Sequence, residues 1–207
     1  VNNENDGGLI RYVYTSHTRN DRAEIKAYHH DNNITYAAAD LTIGYRSDKV
    51  SEVTRQFLYL RGNSEFIIIF DRIDATNADF PKNWFLHIPS NPTVNGTETV
   101  LTPDHVFSYT GDTATWLSNP AGEENVLSSG KSRAFLKTLL PKRAKITKRG
   151  GEGHQFWGHP HEPTAQYNHT CSRSNRPPIV PWRLEVEAPI GKNKRDYFLH
   201  VLEIGDQ

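Results

Sequence analysis

Hydrophobic and polar residues alternate with a period of two along much of the chain, which is typical of half-buried β-strands. The clearest case spans 182–188, where every second residue is apolar and the residues between are Arg or Glu. The run 66–70 is apolar throughout and predicts a strand that is buried on both faces. The same reasoning predicts further strands at 50–60, 84–88, 105–109, 114–116, 133–140 and 197–204.

No segment keeps a helical period over three turns, and turn residues separate the predicted strands. The fold class is therefore all-β, an antiparallel β-sandwich of two large sheets that leaves room for a small additional C-terminal sheet. We treat 1–207 as one sandwich region with a candidate sub-boundary near 91–100. Residues 150–181 interrupt the pattern with five Pro and four His, and we interpret them as a long surface excursion.

Composition excludes several classes of protein. The 207 residues are 36% hydrophobic and 11% aromatic, which is too apolar for a disordered chain. No apolar run approaches the roughly 20 residues of a membrane span.

Cys171 is the single cysteine, so it cannot form an internal disulfide. The sequence contains no Met, which leads us to expect a processed chain or the later part of a longer one.

The 24 Lys and Arg balance the 24 Asp and Glu, but their distribution is uneven. Residues 131–149 contain eight cations and no acid, which suits a polyanion such as a sulfated or uronate-rich glycan. Lys142, Arg143 and Lys145 are the candidate contacts; the alternative is a solvated strand edge. Nucleic acid is disfavoured because no nucleic-acid-binding motif accompanies the charge. Trp157 is either a platform for stacking sugars or an anchor for its loop.

A series of short motifs extends over nearly the whole chain. They are Asn5-Asp6-Gly7-Gly8, Ile34-Thr35-Tyr36-Ala37-Ala38-Ala39-Asp40-Leu41-Thr42, Val53-Thr54-Arg55, Phe57-Leu58-Tyr59-Leu60, Phe70-Asp71-Arg72-Ile73, Trp84-Phe85-Leu86-His87, Leu136-Lys137-Thr138-Leu139-Leu140-Pro141, Gly150-Gly151 to Phe156-Trp157, Trp182-Arg183-Leu184-Glu185-Val186 and Phe198-Leu199-His200-Val201-Leu202. In this order they resemble the C-terminal half of the heparinase II/III group of polysaccharide lyases, and heparinase II more than heparinase III.

The resemblance implies a secreted or periplasmic enzyme that cleaves heparin-like, heparan sulfate-like or alginate-like glycans by β-elimination. In that group an N-terminal (α/α) toroid supplies a catalytic Tyr, and an Ala-His-Asn motif supplies a catalytic His. This sequence contains no Ala-His-Asn, so we assign it no catalytic residue and expect the chain alone to be inactive. Expected partners are an acidic polysaccharide, the toroid and a second copy in a homodimer. The alternative is a non-catalytic glycan-binding or structural sandwich.

The resemblance also implies a structural zinc held by His and Asp side chains of the sandwich. Asp6 matches the aspartate of the Asn-Asp-Gly-Gly motif, and either His29 or His30 falls near a ligand histidine. His87 is a further candidate ligand. Imidazole and carboxylate are suitable zinc donors. The alternatives are a solvated turn at His29-His30 and a hydrogen-bonded core histidine at His87.

Overall fold

Thirteen β-strands account for nearly all of the regular structure in the part of the chain that the structure describes. The computed structural model describes residues 23–117, 132–151, 182–191 and 193–206. The strands are β1 (Glu24–His30), β2 (Ile34–Asp40), β3 (Val50–Leu60), β4 (Glu65–Ala75), β5 (Asn83–Ile88), β6 (Thr93–Val94), β7 (Glu98–Thr102), β8 (Val106–Tyr109), β9 (Thr113–Leu117), β10 (Ser132–Leu140), β11 (Lys145–Gly150), β12 (Trp182–Glu187) and β13 (Arg195–Asp206). A single 3-10 turn, Thr42–Gly44, is the only helix in these ranges.

The strands form two antiparallel sheets, which confirms the predicted β-sandwich. The larger sheet has eight strands in the order β1-β2-β3-β4-β13-β10-β9-β6, and the smaller has five in the order β5-β12-β11-β8-β7. The described ranges contain no additional C-terminal sheet, because the last strand, β13, pairs with β4 and β10 inside the larger sheet. Residues 91–100 run from β6 in one sheet to β7 in the other.

The hydrophobic core lies between the inner faces of the two sheets. The smaller sheet contributes Trp84, Ile88, Ile146, Leu184 and Val186, and the larger contributes Val94, Ala114, Trp116, Leu136, Phe198 and Leu202. Because side chains alternate across a strand, Leu184 and Val186 are buried while their neighbours are partly exposed. The alternation that predicts β12 therefore reflects this core.

The three strands at one end of the larger sheet contribute little to this core. No residue of β1 or β2 is fully buried, and Val53 is the buried residue of β3. Sequence periodicity predicts β3 at its observed bounds but does not predict β1, β2 or β11. The reason is that a strand exposed on both faces, such as β1, needs no apolar alternation.

Candidate functional site

The cationic candidates Lys142 and Arg143 lie in a tight turn between β10 and β11. The turn is closed by the Ala144 amide, which donates to the Pro141 carbonyl at 3.3 Å. Arg143 has a φ of 59°, an uncommon conformation for a residue with a Cβ. Both side chains are exposed, and neither forms an ion pair within the described ranges. The turn therefore presents two cations to solvent.

Three other cations of the 131–149 stretch are engaged within the protein. Lys137 pairs with Asp112 at 2.6 Å, and Lys145 lies 3.8 Å from Glu187. Lys148 lies over the ring of Phe107, 4.8 Å from its centroid, and burial lowers the pKa of its amine. The stretch thus combines paired strand residues with a turn in which Lys142 and Arg143 are exposed and lack acidic partners in the described ranges.

His29 and His30 are adjacent on β1 and point to opposite faces of the sheet. The Nε2 of His29 lies 2.9 Å from the Asp31 carboxylate, and the Nδ1 of His30 lies 2.9 Å from the Thr35 hydroxyl. One metal ion therefore cannot bind both imidazoles. The other predicted ligand of this group, Asp6, lies outside the described residues.

His87 is on the exposed face of β5, opposite Arg183 of β12, and not in the core. Desolvation and the Arg183 cation lower the pKa of its imidazole. A neighbouring guanidinium also disfavours a bound metal cation. Within the described ranges no three His, Cys, Asp or Glu side chains are grouped as metal ligands, so the donors present there do not by themselves fit a zinc site. Trp157 also lies outside the described residues.

A cavity of about 600 Å³ opens beside the 3-10 turn. Two carboxylates line it, Glu24 and Asp40, together with the side chains of Thr42 and Tyr45. Asp40 accepts a hydrogen bond from the Thr42 amide at 2.9 Å, and its hydrogen bonds to Thr42 lower the pKa of its carboxyl group. The residues that line it include two acids and no Lys or Arg, so this cavity offers no cation to an acidic glycan.

A second candidate surface lies on the inner face of β1, β2 and β3. Ala37 is directly opposite Tyr28 of β1 on one side and Phe57 of β3 on the other. Phe57 pairs in turn with Ile69, and Ile69 with the fully buried His200, which identifies this face as the inner one. We call this feature the alanine groove: its floor is Ala37 and Ala39, and its walls are Tyr28 and Phe57.

Two arginines lie along the β3 side of the alanine groove. Arg55, opposite Ala39, forms a two-point ion pair with Asp71, with N–O distances of 2.6 and 2.7 Å. The Asp71 side chain is 6% exposed and the Arg55 side chain 47%, so the surface of this pair is cationic. Arg61 lies 4.6 Å from the ring centroid of Tyr59 and donates to the Thr35 hydroxyl at 2.7 Å.

Sequence reasoning did not identify the alanine groove. Its signal is the run Ala37-Ala38-Ala39, since alanine is a poor strand former and three in a row leave both faces of a strand without bulk. The predicted glycan contacts Lys142 and Arg143 lie elsewhere, in the turn between β10 and β11. The structure thus separates two candidate surfaces, an exposed cationic turn and an aromatic groove.

Comparison with solved structures gives the fold a counterpart. A heparinase III matches with a TM-score of 0.50 at 11% identity, over 89% of this chain and 22% of that protein. The chain has a polysaccharide lyase-like fold. A heparan sulfate lyase from Pedobacter heparinus matches with a TM-score of 0.48 at 13% identity, over 89% of this chain and 22% of that one.

The chain spans about a fifth of the length of the lyases it matches. A scan against protein-family models and a search of curated proteins found no match. The match at a TM-score of 0.50 is to a heparinase III and gives no support to a closer relation with heparinase II. In the described ranges, no helix is long and apolar enough to cross a membrane.

Proposed function

We propose that this chain is the β-sandwich part of a secreted or periplasmic polysaccharide lyase that cleaves uronic-acid-containing glycans by β-elimination. The observation that carries the proposal is the two-sheet fold, which heparinase III shares over 89% of the chain. The order of the sequence motifs supports it independently. A fold alone does not fix a function, which depends on the residues at the site.

β-Elimination removes the weakly acidic C5 proton of the uronic acid and expels the oxygen on C4. It requires a base near the proton, an acid near the leaving oxygen and a group that neutralises the carboxylate. His200 is not suited to proton transfer, because it is fully buried and its pKa is lowered to about 3. We therefore propose that the base and acid come from the rest of the enzyme and that this chain forms one wall of the cleft.

The coding sequence upstream of Val1 tests this division of labour. We expect it to encode a long helical region followed by an Ala-His-Asn motif close to the first residue of this chain. An open reading frame that begins near Val1, or one that encodes an unrelated region, would contradict the proposal. The chain would then be a sandwich that uses this fold for glycan binding or for structure alone.

A structural zinc remains part of the proposal, with Asp6 and one of the two β1 histidines as ligands. Because His29 and His30 point to opposite faces of β1, only one of them can bind the ion together with Asp6. We expect the remaining ligand to be a histidine close to the Ala-His-Asn motif. We propose a structural role, since a metal bound at β1 would stabilise the most exposed strand of the larger sheet.

A further inference from the structure

We propose that the alanine groove binds a glycan chain, with a pyranose ring held between Tyr28 and Phe57 and an acidic substituent directed to Arg55. The glycan class rests on the proposed function; the site itself rests on the geometry of β1, β2 and β3. No residue of this groove is among the predicted glycan contacts, which are Lys142, Arg143, Lys145 and Trp157.

The spacing of the strands leaves room for one sugar ring above Ala37. Neighbouring strands are about 4.8 Å apart, so the backbones of β1 and β3, which flank β2, are separated by about 9–10 Å. A ring in van der Waals contact with an aromatic face on each side needs about 7–8 Å between those faces. The register places only the methyl group of Ala37 between Tyr28 and Phe57, so within the described strands no larger side chain stands in this row.

The side chains of Tyr28 and Phe57 are more exposed to solvent than core residues are. Tyr28 is 67% exposed although it is a large aromatic residue, and Phe57 is half-buried. Aromatic side chains carry a large apolar surface, so the two that flank Ala37 can contribute strongly to ligand binding. Their flat faces suit the apolar C–H faces of a pyranose ring.

The charge of the groove suits an acidic glycan. Arg55 uses two of its five N–H donors on Asp71, and 47% of its side chain is exposed beside Ala39. Asp71 is buried behind it, so a ligand in the groove meets the guanidinium and not the carboxylate. Arg61 adds a second cation over Tyr59, on the far side of Phe57.

The test compares two neighbouring alanines on the same strand. Ala37→Ile fills the groove floor, whereas Ala38→Ile places the same side chain on the opposite face, where Ala38 pairs with Ala27 and Gln56. Both positions are half-buried, and a β-branched residue favours strand structure, so both variants should fold. The probe is a size-defined heparin oligosaccharide, and its dissociation constant is measured by calorimetry with each protein.

We expect Ala37→Ile to weaken binding by about tenfold or more, a typical effect for loss of a central contact. Tyr28→Ala should weaken it comparably, and Ala38→Ile should leave it unchanged. The desulfated, carboxyl-reduced form of the same oligosaccharide should bind more weakly than the acidic form. Equal affinities for Ala37→Ile and Ala38→Ile would overturn the proposed site, as would absence of binding to the unmodified chain.

Equal affinity for the acidic and the neutral oligosaccharide would overturn the assignment of an acidic ligand. These outcomes are separable from the proposed function. An Ala37→Ile variant that binds heparin normally would remove the groove but leave the lyase proposal standing. An upstream sequence without the toroid would remove the lyase proposal while leaving the measured binding intact.

Discussion

Protonation of His200 should destabilise the fold at mildly acidic pH. The imidazole is fully buried between the sheets, stacked on Trp84 with ring centroids 3.7 Å apart, and its Nδ1 lies 3.2 Å from the Thr138 hydroxyl. Its Nε2 has no hydrogen-bond partner in the described ranges. Desolvation, and to a smaller extent the Arg55 cation, lower the pKa of His200 to about 3.

The direction and size of the effect follow from proton linkage. Between pH 7 and pH 5 the folded protein keeps His200 neutral, whereas the unfolded chain, with a histidine pKa of about 6.5, takes up a proton. The contribution of neutral His200 to the free energy of unfolding is therefore fully present above the histidine pKa of the unfolded chain. This contribution decreases as the pH falls towards 3. Over pH 7 to 5 the loss is about 2 kcal/mol, and it hardly depends on the folded pKa so long as that value stays well below 5.

Urea unfolding at pH 7 and pH 5 measures this loss in the wild type, His200→Leu and Phe198→Leu. His200→Leu removes the titrating group and should reduce the loss between the two pH values by about 2 kcal/mol. Phe198→Leu removes packing at the next buried position of β13 without removing an ionisable group, and it should keep the wild-type loss. If His200→Leu and the wild type lose equal stability on acidification, His200 is not the cause of the loss.

Two further predictions concern the charged turn and the metal. Replacing both Lys142 and Arg143 with Ala should lower the salt concentration at which the chain elutes from a heparin column, because these cations lack acidic partners in the described ranges. Replacing Lys137, which pairs with Asp112, should change the elution less. Equal shifts in elution would contradict this prediction. Protein purified without chelator should contain zinc that is lost on Asp6→Ala and on one, but not both, of His29→Ala and His30→Ala. Zinc content unchanged by all three substitutions would exclude the proposed ligands.

Hydrophobic periodicity predicts a strand well only where the two faces of that strand have different surroundings. In β12 the inner residues contact the core and the outer ones solvent, so the alternation in the sequence predicts the strand. In β1 all seven residues are exposed, and its strand conformation depends on pairing with β2. In β11 the cations obscure the alternation of apolar and polar residues. Lys148 is partly buried against aromatic rings, on the same strand as the buried Ile146, so a charged residue occupies an inward position.

The candidate site was harder to predict because it depends on register. Tyr28, Ala37 and Phe57 form one row only through the pairing of three strands, and a shift of one residue in β2 would place Ala38 on the groove floor. The Arg55–Asp71 ion pair joins residues 16 positions apart and depends on the same alignment. By contrast, the cations of the β10–β11 turn are adjacent in sequence, and their exposure could be anticipated.

Assay of the unsaturated uronate product tests the central claim most directly. The intact protein that contains this chain and the 207-residue chain alone are each incubated with heparin, heparan sulfate, alginate and chondroitin sulfate, with heat-inactivated protein as control. We expect a sustained rise in product absorbance with the intact protein on at least one of these glycans, and none with the chain alone. No product from the intact protein on any of the four, or product from the isolated chain, would contradict the account.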